Sequence, residues 1–226
     1  MGLWFVLVLP AFLLAMYAQY KVKSTFAQQS KVASASGSSG AQIARSLLDA
    51  KGLNSIPVEL TPGSLSDHYD PKSKVLRLSP EVFNGTSVAA LGIAAHEVGH
   101  AIQHQQEYIP LNIRNSIFPV ASLGSTLAMP LIFIGFLLNF ANLTLLGIVA
   151  FSFAVFFQLV TLPVEFNASN RAMSMLEGGG FITRTEVGPT KKVLDAAALT
   201  YVAATLVAIA ELVRFVLMFL GQSRDD

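Results

Sequence analysis

The chain contains no cysteine, which excludes a disulfide framework, a thiolate zinc site and a cysteine nucleophile. Any metal must be held by His, Asp or Glu, and only four histidines occur among 226 residues. Charge is scarce as well. Asp, Glu, Lys and Arg make up 13% of the residues, about half the share of an ordinary soluble domain. A net charge of +1 leaves no basic field suited to nucleic acid, so no nucleic-acid partner is expected. The scarcity is uneven. Residues 1–20 and the fifty residues from Asn115 to Val164 carry no charge, and residues 196–220 carry only Glu211 and Arg214. A charge-free run of fifty is too long for the core of so small a chain and is enough to cross a bilayer twice. A water-soluble globular protein is excluded.

What is present is four apolar stretches and two polar ones. Leu3 to Tyr20 suffices for one span, with Trp4, Tyr17 and Tyr20 near its ends where aromatic belts lie. A cleaved signal peptide is the rival reading. No Lys or Arg precedes the run, and it is long for a signal segment, which favours an uncleaved anchor over 1–20. The charge-free run breaks at Asn139-Phe140-Ala141-Asn142, giving a helical hairpin over 117–162 with Pro119 and Pro130 expected to kink its first arm. The last span is 196–220, with a tail at 221–226. Glu211 and Arg214, three residues apart, share a face and can pair or snorkel to the interface. Lys21, Lys23, Arg171, Arg184, Lys191 and Lys192 flank the spans on one side, so the positive-inside rule puts both polar segments in the cytoplasm.

The first polar segment opens with a Ser/Gly/Ala-rich stretch, and a linker is expected over 21–40. A folded unit follows over 41–116. Ile43, Leu47 and Leu48 at helical spacing, closed by Gly52, predict a helix over 41–51. Residues 56–60 and 74–78 alternate as strands, and Asp67-His68-Tyr69-Asp70-Pro71 between them reads as turn chemistry. A long helix is expected over 87–106.

That helix carries His96-Glu97-Val98-Gly99-His100. Histidines at i and i+4 lie one turn apart on one face and can grip a single zinc ion. Glu97 stands beside the ion, placed to take a proton from bound water. The alternative is a pair of partly exposed helical histidines. His104 lies about 12 Å along the axis from His96, too far to complete a tetrahedral site with both others, and is left to a supporting or surface role. Glu165, at the cytoplasmic mouth of the third span and within the polar segment 163–195, is the best third ligand. A His₂Glu set with an open fourth position is a known catalytic zinc pattern. The plain reading of Glu165 is an interfacial carboxylate.

The chain resembles the YugP-like neutral zinc metallopeptidases of bacterial membranes. The resemblance rests on Ser66 to Pro71, on Val75 to Ser79, on Ala94 to His104 and on Leu162 to Arg171, and covers nearly the whole length. It implies a mainly α integral membrane protein of about four transmembrane helices with a small α+β zincin-like cytoplasmic unit. It also implies a zinc-dependent peptidase acting on polypeptides in the bacterial cell membrane. More distantly, the glutamate segment is similar to that of gluzincins, which place an aspartate four residues after the glutamate ligand to orient a zinc histidine. Here that position is Ser169, with Asn167 and Asn170 nearby. A hydroxyl or amide orients imidazole more weakly than a carboxylate does.

The expected chemistry is peptide hydrolysis by zinc-bound water, with Glu97 as general base and then proton donor to the leaving amine. The strand at 74–79 is either an ordinary strand or an open edge that pairs with an extended substrate. His68, Arg171 and Tyr201 are candidates for the donor to the developing oxyanion, each also having a structural reading. Two other functions fit less well. In a site-2-type intramembrane protease the metal helix lies at membrane depth, whereas Gln103-His104-Gln105-Gln106-Glu107 suggests a water-facing end. A membrane adaptor with a structural zinc site needs four protein ligands, and three credible ones are found.

Overall fold

The computed structural model describes residues 2–222, so the end of the expected tail, 223–226, lies outside the described residues. It is mainly helical with one small sheet, as expected. A π-helical turn, Trp4–Val8, leads into α1 (Leu9–Gln29); then come α2 (Gly40–Ala50), β1 (Val58–Leu60), β2 (His68–Asp70) and β3 (Val75–Leu78). The remaining helices are α3 (Pro80–Phe83), α4 (Val88–Gln105), α5 (Ile109–Leu137), α6 (Ala141–Gly178) and α7 (Arg184–Gln222). Among the described residues, four helical stretches are long and apolar enough to cross a membrane: Trp4–Gln29, Ile109–Leu137, Ala141–Gly178 and Arg184–Gly221. Each runs beyond the apolar span expected from hydropathy, because helix continues through polar flanks that hydropathy does not count.

The chain forms two compact units. One comprises the residues up to Ala18, Ile109–Pro163 and those from Thr200 onward. Its helices approach closely where side chains are small: Gly124 packs on the backbone of Ala150, Gly135 on Thr144 and Gly147 on Ile132. Asn139 takes a positive φ in the turn between α5 and α6, a conformation asparagine tolerates better than most residues. Within α7, Arg214 donates from Nε to Glu211 Oε2 at 2.7 Å, an intrahelical pair that the three-residue spacing permits.

The other unit is Gln19–Tyr108 with Val164–Leu199. Ser39 caps α2 and exchanges hydrogen bonds with Gln42, while Ile43, Ala44, Leu47 and Leu48 bury one face. Ser87 caps α4 by accepting from the Ala90 amide. The stretch expected as a linker holds a bridge between Ala33 and Ser87 and backbone bonds from Ser34 to Thr86 and from Val88 to Val32. The sheet order is β1-β3-β2, with β1 parallel and β2 antiparallel to β3. One open alternative is settled here and one expectation is corrected. β3 is the central strand, paired on both sides, so it offers no open edge. Residues 68–70, read as a turn, form the edge strand β2; alternation cannot be seen in three residues flanked by turn formers.

Candidate functional site

The centre of α4 is held close to α6 by an absent side chain. A Cβ at Gly99 would lie 2.8 Å from the Ala168 carbonyl oxygen, so glycine alone lets the two backbones come this near. The approach brings Glu165 between the two histidines of α4. Glu165 Oε2 lies 3.3 Å from His96 Nε2 and 3.5 Å from His100 Nε2. The three ligand atoms all fall within 4.8 Å of one another, and Glu165 is buried. Atoms at zinc–nitrogen and zinc–oxygen distances in a tetrahedron stand about 3.3–3.4 Å apart. The spacing therefore fits one small ion held by two imidazoles and a carboxylate, and the donor set is one that zinc favours.

The far sides of both rings are fixed. His96 Nδ1 is 3.1 Å from Ser169 Oγ, at the position where gluzincins carry aspartate. His100 Nδ1 is 3.0 Å from Gln103 Oε1. The proton positions in that second contact follow from a residue that can only donate. Arg171 donates from Nε to Asn167 Oδ1 at 2.7 Å, which makes that oxygen an acceptor. Gln103 Nε2 donates to the same oxygen at 2.9 Å and to the Val164 carbonyl at 2.8 Å. Its Oε1 must then accept, so His100 Nδ1 carries the proton, and in the neutral ring the lone pair is on Nε2, the nitrogen that faces Glu165. Supporting groups of this kind orient ligands at metal sites.

Glu97 is buried, and its Oε2 accepts the Tyr69 backbone N–H at 3.0 Å, which ties it to edge strand β2. The Tyr69 hydroxyl is in turn 2.9 Å from His104 Nδ1. Asp67, beside them, is hydrogen-bonded to Ser79. Burial raises the Asp67 carboxyl above its ordinary value; the Ser79 hydrogen bonds pull against this, and the nearby charge of Glu97 adds to it.

The expected residues thus divide. His96, His100 and Glu165 converge, with Ser169 and Asn167 behind them and Arg171 behind Asn167. His104 serves the Tyr69 hydroxyl. His68 is exposed, with Nδ1 turned to the Ser66 carbonyl at 2.8 Å. Tyr201 belongs to the other compact unit, where its carbonyl accepts the Thr205 hydroxyl. Gln103 and the Tyr69 amide escape sequence reasoning. Gln103 belongs by sequence to a polar, water-facing end, yet it is fully buried. Its position three residues after His100, on the same helical face, was the available signal.

The profile of the family described as "Putative neutral zinc metallopeptidase" matches residues 4–220. The chain is 52% identical to "Putative membrane protease YugP" of Bacillus subtilis (strain 168) over 225 residues, 99% of each chain. No solved structure matches. A His–His–Glu cluster with zinc-like spacing, apolar spanning helices and this nearly full-length match lead to one assignment: the chain belongs to the family described as "Putative neutral zinc metallopeptidase".

Proposed function

We propose that the protein is a membrane-anchored zinc endopeptidase in which His96, His100 and Glu165 hold the metal and Glu97 is the general base. The observation that carries this reading is the placement of Glu165 Oε2 at 3.3 and 3.5 Å from the two imidazole nitrogens. Bound there, zinc supplies a Lewis acid that lowers the pKa of water toward about 7 and polarises the scissile carbonyl. The chain's own residues do the rest. Ser169 and Gln103 hold the two rings with their Nε2 lone pairs inward. The Tyr69 amide engages Glu97 Oε2, leaving Oε1 to take the proton of the attacking water and pass it to the leaving amine nitrogen. The edge strand β2 runs beside Glu97, and its backbone groups not already bonded suit an extended polypeptide.

The lysines after the first span and the basic residues of 171–192 support, by the positive-inside rule, a reading in which this unit faces the cytoplasm of a bacterial cell. The test uses full-length protein purified in detergent, with bound zinc and casein cleavage measured for wild type and Glu97→Gln. Zinc retained with cleavage lost is the expected result; full cleavage by Glu97→Gln overturns the mechanism. Glu165→Ala is expected to lose the metal, and unchanged zinc content overturns the ligand assignment.

A further inference from the structure

Two adjoining cavities lie on the side of α4 and α6 turned away from the metal centre. One, of about 270 Å³, is lined by Lys51, Gln106, Asn170, Arg171 and Ser174, with Ile102 at its wall. The other, of about 320 Å³, shares Lys51, Ser174 and Met175 with it and adds Leu47 and Phe181. At about 100° per residue, Arg171 stands about 120° and Ser174 about 180° from Glu165 round α6, and Ile102 about 160° from His100 round α4. The cavities are therefore not the catalytic face.

Their lining is cationic and uncompensated. It contains no aspartate or glutamate. Arg171 is half-buried, yet its hydrogen bonds go only to neutral amides, Asn167 Oδ1 at 2.7 Å and Gln106 Oε1 at 2.8 Å. A guanidinium partly withdrawn from water is favoured by a counter-charge. No ion pair of the Lys51 ammonium occurs among the described residues, although Gln105 holds its carbonyl. Two cations beside the Ser174 hydroxyl and the Asn170 amide suit an acceptor-only dianion better than a single carboxylate. The second cavity adds an apolar wall of Leu47, Met175 and Phe181.

We propose that the paired cavities bind a phosphate ester, with the phosphate between Lys51 and Arg171 and the organic part against Leu47, Met175 and Phe181. The site communicates with the metal centre, and this second element rests on His100 being a metal ligand. Arg171 shares Asn167 Oδ1 with Gln103, whose other end holds His100 Nδ1. An anion that draws the guanidinium outward removes the donor that fixes Asn167, and with it the amide that orients His100.

The experiment is calorimetric titration of full-length, zinc-loaded protein in detergent, freed of excess zinc, with inorganic phosphate and with phenyl phosphate. Both probes are expected to bind, phenyl phosphate the more tightly. Lys51→Ala, an exposed substitution, weakens both by about tenfold or more, whereas Phe181→Ala weakens phenyl phosphate alone. Absence of saturable binding, or binding unchanged by Lys51→Ala, overturns the site. Phosphatidic acid in phosphatidylcholine vesicles distinguishes the source: competition with phenyl phosphate identifies a lipid headgroup, and its lack a free ester, and either keeps the site. Zinc affinity is read by chelator competition with and without phenyl phosphate, independently of peptidase activity. A shift in wild type that Lys51→Ala abolishes supports the relay; no shift in wild type overturns the relay.

Discussion

Gln103 Oε1 lies 3.0 Å from His100 Nδ1 while the other end of the same amide donates to Asn167 Oδ1 and the Val164 carbonyl. One buried side chain thus joins the metal-facing helix α4 to α6 at the level of Glu165. Gln103→Leu keeps the bulk and removes all three hydrogen bonds, leaving buried polar groups unpaired at a cost of about 1–3 kcal/mol. Zinc affinity is expected to fall roughly 10–100-fold. Gln103→Glu sets an oxygen against two acceptors and is expected to lower the melting temperature further at neutral pH. Chelator competition and thermal melting read both effects. Affinity preserved in Gln103→Leu contradicts the tautomer argument.

Ser169 makes a parallel case. Its hydroxyl is 3.1 Å from His96 Nδ1, and a neutral acceptor orients imidazole less firmly than a carboxylate. Ser169→Ala is expected to weaken zinc binding by up to about tenfold, and Ser169→Asp to strengthen it beyond wild type. Competition with a chromophoric chelator measures both. If Ser169→Asp binds zinc more weakly than Ser169→Ala, this position does not serve His96.

The two histidines, Glu97 and Glu165 were legible in the sequence because their signals are local. An i, i+4 pair needs only helix geometry, and a carboxylate ending a charge-free run is conspicuous. The four apolar spans were legible for the same reason. β2 was not, since its three residues lie among turn formers and become a strand only through pairing with β3. Whether β3 was an edge or the centre depends on two partners, one of them parallel, which no pattern within the strand reports. Gln103 was hidden differently: in a run of polar residues it looks solvated, and only the arrival of α6 buries it. Tyr69 contributes through its backbone N–H, a group every residue except proline possesses.

Stability in acid is expected to depend on Asp70. The Ser73 hydroxyl, the Lys72 amide, the Ser73 amide and Arg77 all favour its ionised form and hold the carboxyl well below the usual range. With the folded-state value depressed, the unfolded chain binds the proton more readily. The stabilisation is therefore complete above about pH 4 and is lost as pH falls toward the folded-state value. Thermal melting of wild type and Asp70→Asn is compared from pH 6 downward. The gap between them should narrow below about pH 4; a gap that widens there has the wrong sign for this account.

Two glycines of α4 separate packing at the metal centre from packing in general. A Cβ at Gly92 would sit 3.0 Å from the Thr190 side-chain methyl, a contact with one side chain, whereas one at Gly99 would meet the Ala168 backbone at 2.8 Å. Backbone in the middle of a long helix cannot move alone. Gly99→Ala must push α4 and α6 apart, and the residues that face each other across that contact are His96, His100, Glu165 and Ser169. Overpacking of this kind costs about 1–3 kcal/mol, partly offset by the better helix propensity of alanine, about 1 kcal/mol. The effect on zinc should exceed the effect on stability. The separations of Glu165 Oε2 from the two imidazoles, 3.3 and 3.5 Å, are close to the edge of a zinc tetrahedron, about 3.3–3.4 Å, and a few tenths of an ångström more moves both away from it. Gly99→Ala is therefore expected to bind zinc much more weakly while still melting cooperatively, and Gly92→Ala to keep wild-type zinc affinity. Parallel melting and chelator-competition measurements decide it: equal zinc affinity in the two variants would mean that the α4–α6 approach does not set the metal site.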